Sequence, residues 1–151
     1  MSLEQKINEG MKEAMKSGQR ERLDTLRSIR AAIIEFAKSG ANREMNSDDE
    51  LKILNTLAKR RKDSIEMYAN ASRIDLKEKE ELELKIIQEF MPPQLSDEDI
   101  KAIIQDVVAQ TGATSQKDMG KVMGLAMKKL TGQADGTKVQ IIVKEVLGIS
   151  E

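Results

Sequence analysis

The sequence predicts an all-α protein: an N-terminal helical domain of about four helices followed by a small C-terminal three-helix bundle. Three observations carry that prediction. Aromatic residues make up only 2% of the chain and long-chain helix formers dominate, so strands are poorly supplied. Apolar residues recur at three-to-four spacing along almost the whole length. The only two prolines are adjacent, Pro92 and Pro93, where they stop one helix and separate two helical blocks.

Taken in order, residues 2–17 read as a first helix ended near Gly18. The second covers residues 20–38, with Leu23, Leu26, Ile29, Ile33 and Phe36 on one face and Gly40 as its stop. In the third, Ser47 and Glu50 match a capping box, and the helix continues to about Ala71. A fourth spans roughly residues 75–91 and is expected to bury Leu82, Ile86 and Phe90. The segment MPPQL then marks a boundary, giving domains at 1–91 and 95–151 with a linker at 92–94.

Beyond it, Ser96 and Asp99 cap a helix presenting Ile100, Ile103, Ile104, Val107 and Val108. Ser115 and Asp118 repeat the S-x-x-D pattern and are expected to open the next helix. Asp135 starts the last, which presents Val139, Ile142, Val143, Val146 and Leu147 and ends at Gly148.

Two zeros in the composition exclude whole classes of chemistry. Without histidine or cysteine there is no Ser-His triad, no thiol nucleophile, no disulfide and no zinc site of His or Cys ligands. No cofactor and no metal are expected. No apolar run approaches a membrane span and no secretory leader pattern opens the chain, so a cytoplasmic location is expected, with no membrane partner. The net charge of −1 gives no bulk attraction to nucleic acid, which leaves local patches.

The stretch DMGKVMGLAMKKLTGQADGTKVQIIVKEVL, residues 118–147, holds the most distinctive pattern. Met119, Val122, Met123, Ala126, Met127 and Leu130 form one apolar helix face, which reads as core. Thioether sulfurs could take copper(I), but no imidazole or thiol is present to share such a site. Gly120 and Gly124 each cost about 1 kcal/mol against alanine inside a helix and so need a reason. One is close approach of a neighbouring helix. The other is a row formed by Lys117, Lys121 and Lys128, in which Gly124 leaves a gap where a sugar–phosphate backbone could lie. The loop Gly132-Gln133-Ala134-Asp135-Gly136 follows, beside Lys129 and Lys138. Between Lys117 and Lys144 six lysines face two acids.

Other candidates are weaker. Gly120-Lys121 lacks the glycine spacing of a phosphate-binding loop. Asp97, Glu98 and Asp99 suit the positive end of a helix dipole better than paired-carboxylate catalysis. KEKEELE, residues 77–83, reads as a solvated face with Glu–Lys pairs. KRRK, residues 59–62, and the cluster Arg20, Arg22, Arg27 and Arg30 are further basic sites, but neither is interleaved with aromatics for base stacking.

DMGKVMG followed by KLTGQADGTKV and IVKEVL resembles the signature of the GatB/YqeY family. TLRSIRAAI, KRRKDSIEMY, SRIDLKEKEELE and EFMPPQLS resemble YqeY segments in order and spacing, so the likeness covers essentially the whole chain. Phe90-Met91 departs from a commoner Tyr-Leu pair, and Met127-Lys128-Lys129 stands where a proline often sits. The resemblance implies a C-terminal domain similar to the tail of the B subunit of glutamyl/aspartyl-tRNA amidotransferase, which contacts tRNA. It thereby implies kinship with carbon–nitrogen ligases that use glutamine as amide donor, without their catalytic cradle. Gly120, Gly124, Gly132 and Gly136 match the family motif; Lys117, Lys121, Lys128, Lys129 and Lys138 are chosen from charge. The expectation is an accessory protein that binds tRNA or another structured RNA through these residues, with a possible protein partner in translation. The alternative is a non-enzymatic adaptor that binds proteins through the N-terminal helices.

Overall fold

The computed structural model describes residues 1–40 and 43–149. Among them are seven α-helices, one short 3-10 turn and no strand. The helices are α1 (Leu3–Ser17), α2 (Arg20–Lys38), α3 (Ser47–Asn70), α4 (Ile74–Gln88), α5 (Asp97–Thr111), α6 (Met119–Leu130) and α7 (Gly136–Val146). Backbone contacts divide the chain between the two prolines, into Met1–Pro92 and Pro93–Glu151. The all-α expectation holds, with four helices in the first unit and three in the second.

In the first unit α1 packs on α2, α3 on α4, and α2 also on α3 and α4. Its core gathers Leu3 and Ile7 from α1, Leu26, Ile29 and Ile33 from α2, Leu54 and Leu57 from α3, and Ile86 and Ile87 from α4. The sets from α1, α2 and α3 recur at the three-to-four spacing that gives a helix a single apolar face, and α4 contributes an adjacent pair.

Helix boundaries follow local chemistry, with corrections to the sequence reading. The α3 cap is Asn46, one residue before the expected Ser47. Its side chain accepts from the Asp49 amide at 2.9 Å while the Asp49 carboxylate accepts from the Asn46 amide at 3.0 Å. The neighbouring Asn-x-x-Asp therefore forms the box in place of Ser-x-x-Glu, because Arg43 Nη2 also holds Asp49 at 2.9 Å. In α4, Leu82 is exposed and Ile87 is wholly buried, against the expectation for Leu82. Leu84 and Ile87 lie on the inward side, and Leu82, well round the helix from both, falls just outside the edge of the buried face that Ile86 marks. Phe90 is only partly buried and lies beyond the helix, which stops at Gln88.

The second unit is a bundle in which α5, α6 and α7 pack mutually. Ile100, Ile104 and Val107 of α5 meet Val122, Ala126 and Leu130 of α6 and Val139, Ile142 and Val143 of α7. Met119, Met123 and Met127 pack against the edge of that cluster, so the methionine stripe is core. Gly112 ends α5 at φ 68°, a left-handed conformation in which a side chain would clash with the backbone, and its amide donates to Val108 O at 2.9 Å. Ser115 and Asp118 do not form the expected capping box. The Asp118 carboxylate instead accepts from the Thr114 amide at 3.0 Å, and the Asp118 amide donates to Ser115 O. These bonds wind residues 116–118 into a 3-10 turn ahead of α6.

Candidate nucleic-acid interface

The core of the second unit decides what α6 shows to solvent. With Val122, Ala126 and Leu130 buried, the opposite side of the helix carries Gly120, Lys121, Gly124, Leu125 and Lys128, all exposed. Lys117 is also exposed and projects from the preceding 3-10 turn, not from the helix itself.

The two glycines lie in open space. A Cβ built at Gly120 or Gly124 would meet no atom within 4 Å, apart from the helix's own adjacent backbone. Close packing of a neighbouring helix in this chain is therefore not their reason, and that reading is set aside. Both sit within α6 and neither adopts the left-handed backbone, so each only weakens the helix. What they produce is bare backbone one turn apart, beside Lys121 and Lys128 on the same exposed side.

The lysines separate into two sets. Among the described residues no ion pair engages Lys117, Lys121 or Lys128. Lys129 Nζ stands 3.6 Å from Asp106 of α5, and Lys138 Nζ stands 2.9 Å from Asp97 at the start of α5. Both pairs are exposed, so each is weak, but each offsets a charge that spacing alone counts as available. Lys121 and Lys128 on the exposed side of α6, and Lys117 on the turn before it, thus keep their charge unopposed by any ion pair among the described residues.

The GQADG loop has a structural task. Gly132 is buried at φ 77°, and its carbonyl accepts from Gln94 Nε2 at 2.7 Å. The neighbouring Gln133 carbonyl accepts from the Leu95 amide at 2.9 Å. Together they fasten the segment after the prolines onto the α6–α7 turn. Gly136 is the first residue of α7, and a Cβ there would reach the Met127 methyl at an ordinary 3.8 Å. Asp135 caps α7 by accepting from the Thr137 amide at 3.2 Å.

Sequence reasoning missed a polar cluster in the first unit. Glu80 and Glu83, within the run read as a solvated face, turn inward toward half-buried Arg61 of KRRK. Arg61 Nε lies 3.0 Å from Glu83 and 3.8 Å from Glu80, and Arg61 Nη2 donates to Ser28 Oγ at 3.4 Å. Burial pushes the Glu80 carboxyl above its ordinary value, the Glu83 charge adds to the rise, and Arg61 opposes it. The signal was present: Glu80 and Glu83 share the helical face of Leu84 and Ile87. The other basic cluster is partly spoken for, with Arg22 2.6 Å from Glu89 and Arg27 3.5 Å from Asp24. Among the described residues no group of three acidic, histidine or cysteine side chains is placed to hold a metal ion. No helix there is long and apolar enough to cross a membrane.

Fold and surface together define a class: an all-helical protein of two units whose second unit carries an exposed helix face with lysines beside bare backbone. The chain belongs to the YqeY family, since the family model described as Yqey-like protein matches residues 4–147. It is 29% identical over 147 residues to Altered inheritance of mitochondria protein 41, mitochondrial, of Pyrenophora tritici-repentis, covering 95% of this chain and 80% of that protein. It is 32% identical over 95 residues to the uncharacterized protein C22F3.15 of Schizosaccharomyces pombe, covering 63% of this chain and 76% of that one. A shorter likeness, 44% over 55 residues, joins 34% of this chain to the E subunit of glutamyl-tRNA(Gln) amidotransferase from Methanobrevibacter smithii, where it covers 9% of that protein. The amidotransferase kinship expected from sequence is present in part, as this short likeness to one amidotransferase subunit.

Proposed function

We propose that this YqeY-family protein is an RNA-binding accessory protein that engages tRNA, or another structured RNA, through the exposed face of α6. The observation that carries the reading is the arrangement of Lys117, Lys121 and Lys128, free of ion pairs among the described residues, around Gly120 and Gly124 with open space above them. Exposed cations without acidic partners draw in phosphates at little desolvation cost, and the gap lets a backbone approach. The likeness to a segment of an amidotransferase whose name includes tRNA supports the same choice of ligand. Because that likeness spans so little of the amidotransferase chain, the reading is of a binding module and not of carbon–nitrogen ligase chemistry. The cytoplasm is the compartment proposed, whereas the name of the Pyrenophora relative places that relative in mitochondria.

Equilibrium binding of the full chain to tRNA tests the reading. Converting Lys117, Lys121 and Lys128 together to Glu is expected to weaken binding by at least about a hundredfold, since each lost phosphate contact and each added repulsion acts on the same face. Converting Lys129 and Lys138 is expected to cost less, because both already face aspartates. Equal losses from the two sets, or no loss from the first, would reject the site.

A second reading, a protein adaptor acting through the first unit, is favoured by Met67 and Ile74. Both are exposed, at 68% and 55%, on either side of the α3–α4 turn. It expects a partner whose co-purification survives RNase and is lost in the full chain carrying Met67→Asp and Ile74→Asp. Recovery that RNase abolishes would reject it.

A further inference from the structure

The RNA-binding reading leaves open which form of RNA the α6 face takes, and this inference rests on that reading. We propose that the face recognises the shallow minor-groove side of an A-form RNA double helix through its sugar–phosphate backbones, and does not read single-stranded bases.

Single-strand recognition has a chemical requirement that the second unit does not meet. Proteins that hold unpaired bases stack them on aromatic side chains. Residues 93–151 contain no Phe, Tyr or Trp, because the three aromatics of the chain are Phe36, Tyr68 and Phe90. None of the side chains exposed on this face, Lys117, Lys121, Leu125 or Lys128, offers a planar surface to a base.

The relief of the helix favours a shallow surface over a deep one. A helix that reads a DNA major groove fills it with side chains that reach base edges. Here one flank of the exposed face is bare backbone at Gly120 and Gly124, with Lys121 and Lys128 beside it, so the face offers no full row of side chains to fill such a groove. The DNA minor groove is about 6 Å wide and excludes a helix of about 10 Å. The A-form minor groove is wide and shallow and lined with 2′-hydroxyls, so a flat helix face can rest across it. Lys121 and Lys128, about 10 Å apart along the axis, then reach phosphates from either side of the Gly124 gap.

Competition against a labelled RNA hairpin with the full chain decides the matter. The competitors are a duplex RNA, one of its strands alone chosen to be unstructured, and a DNA duplex of the same sequence. The duplex RNA is expected to compete at least about tenfold better than the other two. Equal or better competition by the single strand or the DNA overturns the inference while leaving RNA binding intact. If the hairpin itself does not bind, the reading beneath the inference fails, and the inference with it. Gly124→Gln adds a neutral side chain into open space, so the fold is retained; it is expected to weaken duplex RNA binding by about tenfold or more. Unchanged affinity in that folded variant would show that nothing lies against the bare strip, and would overturn the inference.

Discussion

Single residues separate tasks that look alike in the sequence. Gly10 and Gly124 both sit inside helices, but a Cβ at Gly10 would stand 3.1 Å from the buried Leu26 Cδ1, whereas one at Gly124 meets nothing. Gly124→Ala is therefore expected to raise stability by about 1 kcal/mol, the helix-propensity gain. Gly10→Ala is expected to gain less, since part of that term is offset by pressing on Leu26. Thermal unfolding of both variants checks the difference. Asp49 is the second test at this scale. Its bidentate bond from Arg43, with the Asn46 amide adding to it, holds the carboxyl at about 2, below an ordinary value of 3.8. The ionised form is thus favoured in the folded chain, and its stabilisation is complete above the unfolded value and fades as pH falls through the folded one. Asp49→Asn should be less stable than the parent at neutral pH, with the gap closing between about pH 5 and about pH 2 in denaturant titrations.

At the level of elements, the ends of helices were harder to place than their faces. The extent of α2, residues 20–38, was legible because Gly18 and Gly40 bracket an unbroken apolar stripe. The start of α3 was displaced by one residue because Asn46 and Ser47 are both good caps, each followed three residues later by an acid. What chooses between them is Arg43, which secures Asp49 from outside the helix. Asn46→Ala should accordingly cost about 1 kcal/mol of stability, and Ser47→Ala only a few tenths. Similar costs for both in chemical denaturation would return the cap to Ser47. Asp118 shows the same limit. Its spacing from Ser115 fits a capping box, but the carboxylate finds the Thr114 amide first and a 3-10 turn results. In α4 periodicity alone could not say whether Leu82 or Ile87 faces inward, since that depends on how α3 is laid against it.

For the whole molecule, the two proline-separated units each gather a core of their own. Ile29→Ala and Ile104→Ala should each cost about 2–5 kcal/mol in the unit that holds them. Amide hydrogen exchange is then expected to speed up in residues 1–92 for the first and in residues 93–149 for the second. Acceleration spread evenly over both units by either variant would contradict separate cores. The candidate site was legible in outline, as lysines and glycines at helical spacing on α6. Which lysines keep their charge unopposed was not, because Asp106 and Asp97 reach Lys129 and Lys138 only through the packing of α5. Nor could spacing show that Gly132 is buried under Gln94 while Gly120 and Gly124 face solvent. The central claim, that Lys117, Lys121 and Lys128 form a phosphate-binding face, is tested most directly by the salt dependence of tRNA binding. Three phosphate contacts predict a log–log slope of about −2 to −3 for the parent, falling toward zero when the three lysines become Glu. A parent slope near zero, or the same slope in the variant, would contradict it.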